Sequence, residues 1–213
     1  MIIGITGNFG TGKTAVANIF RRHGFEVIDV DKLYYDDFYK NHPLRKEIED
    51  EFGTLDREKL KKIVFNDYSK LKKLNKITHP IIIKKTIKEI ETIIEKSNKK
   101  IYNINKNSDR KIKNTAKIII DIPLLFEAKL EKMFDSIIVV KCNEKTQIER
   151  ILAKNKKYTE KEIKQIMKSQ MPLKEKIKKA DFVVDNSRTL KNSENQAEKI
   201  IKSIQAKALK TYN

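Results

Sequence analysis

The sequence predicts an α/β fold, a five-stranded parallel sheet layered between helices, with one helical insertion and one helical lid. Three observations predict it. Met1 to Ile5, a short apolar run, passes through a glycine-rich turn into a stretch of helical spacing with Val16, Ile19 and Phe20 on one side. Phe25 to Val30 then returns as a strand, at the spacing of a βαβ unit that forces parallel pairing. Three more apolar runs, Ala116 to Asp121, Ser136 to Lys141 and Asp181 to Val184, alternate with helical segments further along.

The first turn carries the chemistry. Gly7 to Thr14 reads G-x-x-x-x-G-K-T, between a strand and a helix, which is the arrangement a phosphate-binding loop requires. Glycines let backbone N–H groups converge on a phosphate, and the helix N-terminus adds unused donors and partial positive charge. The expected nucleotide contacts are Gly7, Gly10, Thr11, Gly12, Lys13, Thr14 and Ala15. Lys13 is expected to reach the β- and γ-phosphates and the Thr14 hydroxyl to hold Mg²⁺, so the cofactors are ATP and Mg²⁺. These features define a P-loop NTPase architecture, three-layer α/β/α. The motif says nucleoside triphosphate and leaves the acceptor open.

His23-Gly24 closes the first helix. The second strand ends on Asp29-Val30-Asp31, at the carboxyl edge where ligands gather in parallel sheets. A carboxylate there can orient a hydroxyl or accept its proton, or else cap the helix predicted from Lys32 to Phe38. Alternation along a strand gives Asp29 and Asp31 different directions, and Asp31 is the functional candidate.

From Pro43 to Lys96 the pattern is all helical. Leu55, Leu60, Ile63 and Val64 share one face, and Leu71, Leu74 and Ile77 another. Pro80 marks the start of a further helix carrying Ile81, Ile83, Ile87, Ile90 and Ile94. By spacing alone His79 is a cap or a packed polar group. Residues 97–115, rich in Asn, Lys and Ser, read as an exposed polar loop. Asp121, closing an apolar strand, has the position of the second acid that helps hold the metal in phosphate-loop enzymes. Pro123 breaks that strand into a loop at the active edge. Asn143 caps the next helix, which carries Arg150, and Thr159 to Glu162 forms a capping box for another. The two helices, joined by a turn with Lys156 and Lys157, suit a lid.

The divisions are therefore a nucleotide-binding core (1–31, 116–150, 181–213), a helical substrate-binding part (32–96), the polar loop (97–115) and the lid (151–180). Lys and Arg number 47 against 29 Asp and Glu, a net charge of +18. The excess is mostly Lys interleaved with Glu along the chain, with few neighbouring aromatics, so it reads as solvated helix faces and makes a nucleic-acid partner unlikely. Cys142, the only cysteine, excludes an intrachain disulfide and reads as a small buried residue. No apolar run reaches the roughly 18 residues of a membrane span. The expectation is a cytoplasmic monomer acting on a small molecule.

Taken together, these pieces resemble the dephospho-coenzyme A kinases. The match runs from the phosphate loop and Val-Ile-Asp-Val-Asp at Asp31 through Leu-Asp-Arg-Glu-Lys-Leu at 55–60 to Leu-Asn-Lys-Ile-Thr-His-Pro at Pro80. It continues with Ile-Pro-Leu-Leu-Phe-Glu at Glu127, Thr-Gln-Ile-Glu-Arg at Arg150, Gln170-Met171 and Ala-Asp-Phe-Val-Val-Asp-Asn at Asn186. The resemblance implies ATP-dependent phosphorylation of the ribose 3′-hydroxyl of dephospho-coenzyme A, with a nucleoside or nucleotide kinase as the alternative and a phosphate-loop RNA-binding or regulatory protein as a more distant one. It implies Asp31 as the base, His79 and Leu125 beside the acceptor, Arg150 near the ATP phosphates and Asn186 near the adenine. Asn8 and Phe9 stand where the family usually has Gly and Ile, at positions expected to make no contacts. Lys154 stands where a second lid arginine is usual, keeping the charge without the planar fork.

Overall fold

A computed structural model describes residues 1–38, 43–106, 116–155 and 158–210. The elements in order are β1 (Ile2–Thr6), α1 (Lys13–Arg22), β2 (Glu26–Asp29), α2 (Val30–Phe38), α3 (Pro43–Phe52), α4 (Arg57–Asn66) and α5 (Tyr68–Lys106). They continue with β3 (Ile118–Asp121), β4 (Ser136–Lys141), α6 (Glu144–Lys154), α7 (Glu160–Ser169), α8 (Leu173–Lys178), β5 (Phe182–Asp185) and α9 (Leu190–Lys210). The sheet order is β2-β3-β1-β4-β5. β4 pairs in parallel with β1, Ile5 opposite Ile138, and with β5, Val139 opposite Val183. The five-stranded parallel sheet is thus as the sequence predicts. Two compact units make up the chain: Met1 with Ile28–Ile118, and Ile2–Val27 with Ile119–Asn213.

In the second unit the sheet is buried on both faces, with Ile3, Ile5, Ile119, Ile120, Ile138, Val139 and Val140 all at 0 % exposure. That is why its strands read as unbroken apolar runs. α1 and α9 pack together, and α9 also covers β5. Two aspartates set the strand starts. Asp135 Oδ2 accepts the Ile2 N–H at 2.8 Å, and Asp181 Oδ2 accepts the Ile137 N–H at 2.7 Å. α1 stops where predicted, in a Schellman turn: Gly24 has φ 81°, its N–H reaches the Arg21 carbonyl, and the Phe25 N–H reaches that of Phe20. The Phe20 and Phe25 rings seal the turn edge to face, 5.4 Å apart.

The first unit is helical around Leu44 and Ile48, with Tyr34, Phe52, Leu55, Leu60, Leu74, Ile77 and Ile81 against them. Three expectations are corrected here. β2 ends at Asp29 rather than at Val30, because Asp29 Oδ1 accepts the Lys32 N–H at 2.9 Å and opens α2, which leaves Asp31 in the first helical turn. Pro80 lies inside α5 instead of starting a helix. A proline there forfeits the bond to the Lys76 carbonyl, but α2, α3 and α4 all pack on α5 and outweigh the loss. Ser97 to Lys106, expected as loop, continue α5, because that segment has neither Gly nor Pro and extending a formed helix costs little. The rest of the polar loop, 107–115, lies outside the described residues, as do His42, Lys156 and Lys157. Among the described residues no helix is long and apolar enough to cross a membrane.

Candidate active site

β1 delivers the chain to the loop and α1 takes it away. Gly12 is the N-cap of α1, at φ 85° and ψ 31°, and no side chain caps the helix. A Cβ at Gly12 would lie 2.2 Å from Asn186 Nδ2, and one at Gly7 2.3 Å from the Val140 carbonyl oxygen, so both positions require glycine. The uncapped N-terminus, with no acid in its first turn, is built to receive an anion. Lys13 Nζ rests 3.2 Å from the Gly7 carbonyl, lying across the loop. Thr11 closes the loop from inside, its hydroxyl donating to the Asn8 carbonyl at 2.9 Å. Thr14 and Ala15, in the first turn, are exposed, and Gly10 has φ 81°.

β3 brings the second acid to the same place. The Thr14 hydroxyl donates to Asp121 Oδ2 at 3.1 Å, and Asp121 is 5 % exposed. A hydroxyl and one carboxylate are a hard oxygen donor set that suits Mg²⁺, which takes its other ligands from phosphates and water. Among the described residues no cluster of three or more His, Cys, Asp or Glu offers a fuller cage.

Asn186 and Arg150 meet beneath the loop. Asn186 Nδ2 donates to the Thr11 carbonyl at 2.9 Å, and its Oδ1 accepts the Ser193 hydroxyl at 2.8 Å. At 5 % exposure Asn186 braces the loop with its side chain. The Arg150 guanidinium donates to the Asn186 carbonyl at 2.8 Å and lies 3.5 Å from that of Arg188. The loop after β3 holds Leu125, whose side chain has no exposed surface and packs toward Gly4. Leu125 thus joins the core at the start of the loop that follows β3. In the other unit, Asp31 is exposed in the first turn of α2 and His79 is half-buried on α5.

Sequence reasoning missed four residues. Phe9, expected to make no contacts, donates its N–H to Gln170 Oε1 at 2.8 Å and sets its ring edge to face with that of Tyr158, 5.6 Å away. Asn8 likewise serves the loop through its carbonyl. Gln170 was quoted only as part of a motif. Lys176, in a Lys-rich run that reads as a solvated face, is fully buried. The available signal was its place at helical spacing from Leu173 and Ala180.

The sheet, the glycine-rich turn on α1, and the Lys13, Thr14 and Asp121 cluster define a phosphate-loop kinase. The dephospho-CoA kinase family matches residues 1–106 and 100–192. A dephospho-CoA kinase of Carboxydothermus hydrogenoformans is 36 % identical over 203 residues, covering 92 % of this chain and 90 % of the relative. Among solved structures, TT1252 from Thermus thermophilus superposes with a TM-score of 0.73 at 28 % identity, covering 95 % of this chain and 96 % of that one. The dephospho-CoA kinase from Campylobacter jejuni superposes with a TM-score of 0.61 at 26 % identity over the same shares. The chain belongs to the dephospho-CoA kinase family.

Proposed function

We propose that this protein transfers the γ-phosphoryl group of ATP to the ribose 3′-hydroxyl of dephospho-coenzyme A, giving coenzyme A and ADP. The observation that carries the reading is the uncapped start of α1, with Lys13 lying over the loop and Thr14 bonded to Asp121, in a chain of this family.

The loop amides and Lys13 bind the β- and γ-phosphates, and Asn186 holds the loop in shape through the Thr11 carbonyl. Arg150, anchored beside Asn186, offers its remaining guanidinium edge to the nucleotide. Thr14 and Asp121 are the residues that hold Mg²⁺, which supplies neutralisation of phosphate charge when bound. The ribose 3′-oxygen attacks the γ-phosphorus, the bond from phosphorus to the bridging oxygen breaks, and ADP leaves. Asp31 orients the hydroxyl and takes its proton, and His79 contacts the acceptor. Positioning and charge stabilisation supply most of the acceleration in such a step. In this reading the protein works as a cytoplasmic monomer, so sedimentation should give one species near its chain mass of 25.0 kDa.

ADP release from ATP and Mg²⁺ tests the reading, with dephospho-coenzyme A set beside AMP, adenosine and pantetheine phosphate. Turnover is expected with dephospho-coenzyme A alone. Asp31→Asn should lower kcat by about 10²-fold or more at little change in the ATP KM, in line with loss of a general base. Turnover with AMP or adenosine would make the enzyme a nucleotide or nucleoside kinase instead, and full activity of Asp31→Asn would remove Asp31 as base.

A further inference from the structure

Lys176 lies on α8 with a side chain at 0 % exposure. Its ammonium lies 2.9 Å from Glu127 Oε1 and 3.3 Å from the Pro123 carbonyl oxygen. That carbonyl also accepts the Thr6 hydroxyl at 3.1 Å, and Thr6 immediately precedes Gly7, the first residue of the phosphate loop. One carbonyl oxygen therefore separates the buried ammonium from the entrance to the nucleotide site. Burial is the largest influence on Lys176 and pushes its basicity down; Glu127 opposes this, and the Lys13 ammonium adds to it, so the two lysines sense each other.

Glu127 is a junction. Its Oε1 accepts the Met171 N–H at 2.9 Å as well as the Lys176 ammonium, while its buried Oε2 has no hydrogen-bond partner among the described residues. The neighbouring Gln170 holds the Phe9 N–H of the phosphate loop. The segment from Gln170 to Lys176, which closes α7 and opens α8, thus grips the phosphate loop at one end and the loop after β3 at the other. A surface lysine could not act in this way, because solvent would screen it. Glu127 is partly buried, its side chain 19 % exposed, and its carboxylate is poorly enough solvated to need a compensating charge.

We propose that Lys176 is a positioning residue of the nucleotide site: it neutralises Glu127 and clamps the loop after β3 to the end of α7, so that no uncompensated negative charge stands beside the phosphate loop. The proposal rests on the reading of that loop as the ATP site. It makes the charge state of the Glu127–Lys176 pair a determinant of nucleotide affinity, although neither side chain is assigned a contact with the nucleotide. Without the ammonium, the Glu127 carboxylate repels the triphosphate and competes for Lys13. Removing the carboxylate as well removes the repulsion.

A double-mutant cycle tests it: Lys176→Met, Glu127→Gln and the two combined, with Lys176→Arg and Lys13→Ala alongside. The readouts are ATP dissociation constants from titration, kcat and KM for ATP, and Tm. Lys176→Met should weaken ATP binding by about ten-fold or more, as expected for a charge placed near phosphates in a poorly screened site. The combined variant should return to within about three-fold of the wild type, since replacing a whole buried pair is far milder than breaking it. Lys176→Arg should retain more affinity than Lys176→Met. Unchanged affinity in Lys176→Met overturns the proposal, and so does an equal loss in the single and combined variants. A fall in Tm at constant affinity is the signature of packing alone and also overturns it. If Lys176→Met fails to fold, the combined variant decides, and a ten-fold loss of affinity there overturns the proposal. Lys13→Ala separates the two readings: wild-type ATP binding in that variant would overturn the assignment of the loop itself.

Discussion

At the residue scale, the site is governed by how little room surrounds the loop. Gly12 combines a left-handed backbone with an approach by the Asn186 amide that leaves no space for a Cβ. Gly12→Ala therefore faces two penalties at once. The backbone conformation alone costs a residue with a Cβ about 1–2 kcal/mol, and the clash displaces Asn186 from the Thr11 carbonyl. The expected outcome is a loss of at least that stability in urea unfolding, together with loss of measurable ATP binding by titration. Retained affinity would show that the Asn186 brace is dispensable. The motif itself was fully legible in the sequence, because its spacing is a local property of eight residues. The brace was not. Asn186 lies 175 positions from Thr11, and the reading that placed it near a base gave no hint that its amide is already engaged. Lys176 was hard to read for a related reason. In a Lys-Glu-Lys-Ile-Lys-Lys run only its helical spacing from Leu173 and Ala180 sets it apart, and that hint is outweighed by its charge.

At the element scale, local signals worked where local physics dominates. The Schellman turn at Gly24, the Asn143 cap on α6 and the Thr159–Glu162 capping box were readable because each is closed within a few residues. α5 defeated the same reasoning. Pro80 carries a real local penalty, and only packing by α2, α3 and α4 sustains a helix of 39 residues through it. This gives a prediction with opposite signs in two assays. Pro80→Ala restores a donor to the Lys76 carbonyl and removes the ring from the preceding turn. A proline in a helix interior is less favourable than alanine by about 3 kcal/mol, so the variant should be stabilised by up to that amount, with a higher Tm. His79, the neighbouring acceptor contact in the proposed reaction, then loses the backbone geometry that Pro80 imposes. The KM for dephospho-coenzyme A should rise by several-fold, on the order of the 1 kcal/mol that a misplaced hydrogen bond costs. A higher Tm with an unchanged KM would show that the proline is not there to place His79. Phe9 illustrates the converse error. It was discounted as a non-contacting position of the loop, yet its ring meets Tyr158, 149 positions away in the chain.

At the scale of the whole molecule, the question is what a net charge of +18 does. The described ion pairs answer in part. Lys61 with Glu58, Lys164 with Glu160, Lys178 with Glu175 and Lys191 with Glu194 all lie three or four residues apart on helices. Such pairs make solvated faces and contribute little stability each. The lysines left over are spread along the chain with few aromatic side chains among them, so they make a general field rather than a base-stacking platform. A general field acts on encounter and weak attraction, both of which salt screens once the Debye length falls to about 8 Å at physiological strength. Between about 0.05 and 0.5 M salt, kcat/KM for ATP and for dephospho-coenzyme A should therefore fall by several-fold, while kcat, which depends on short-range contacts already made in the bound complex, stays within about two-fold. Steady-state kinetics across a salt series checks this. RNA added at about 0.15 M salt should not inhibit, because a field without a footprint loses its hold as counterions compete. Inhibition that persists there, with a steep salt slope of RNA binding, would mean that the lysines converge on a polyanion site and that the charge has a partner of its own.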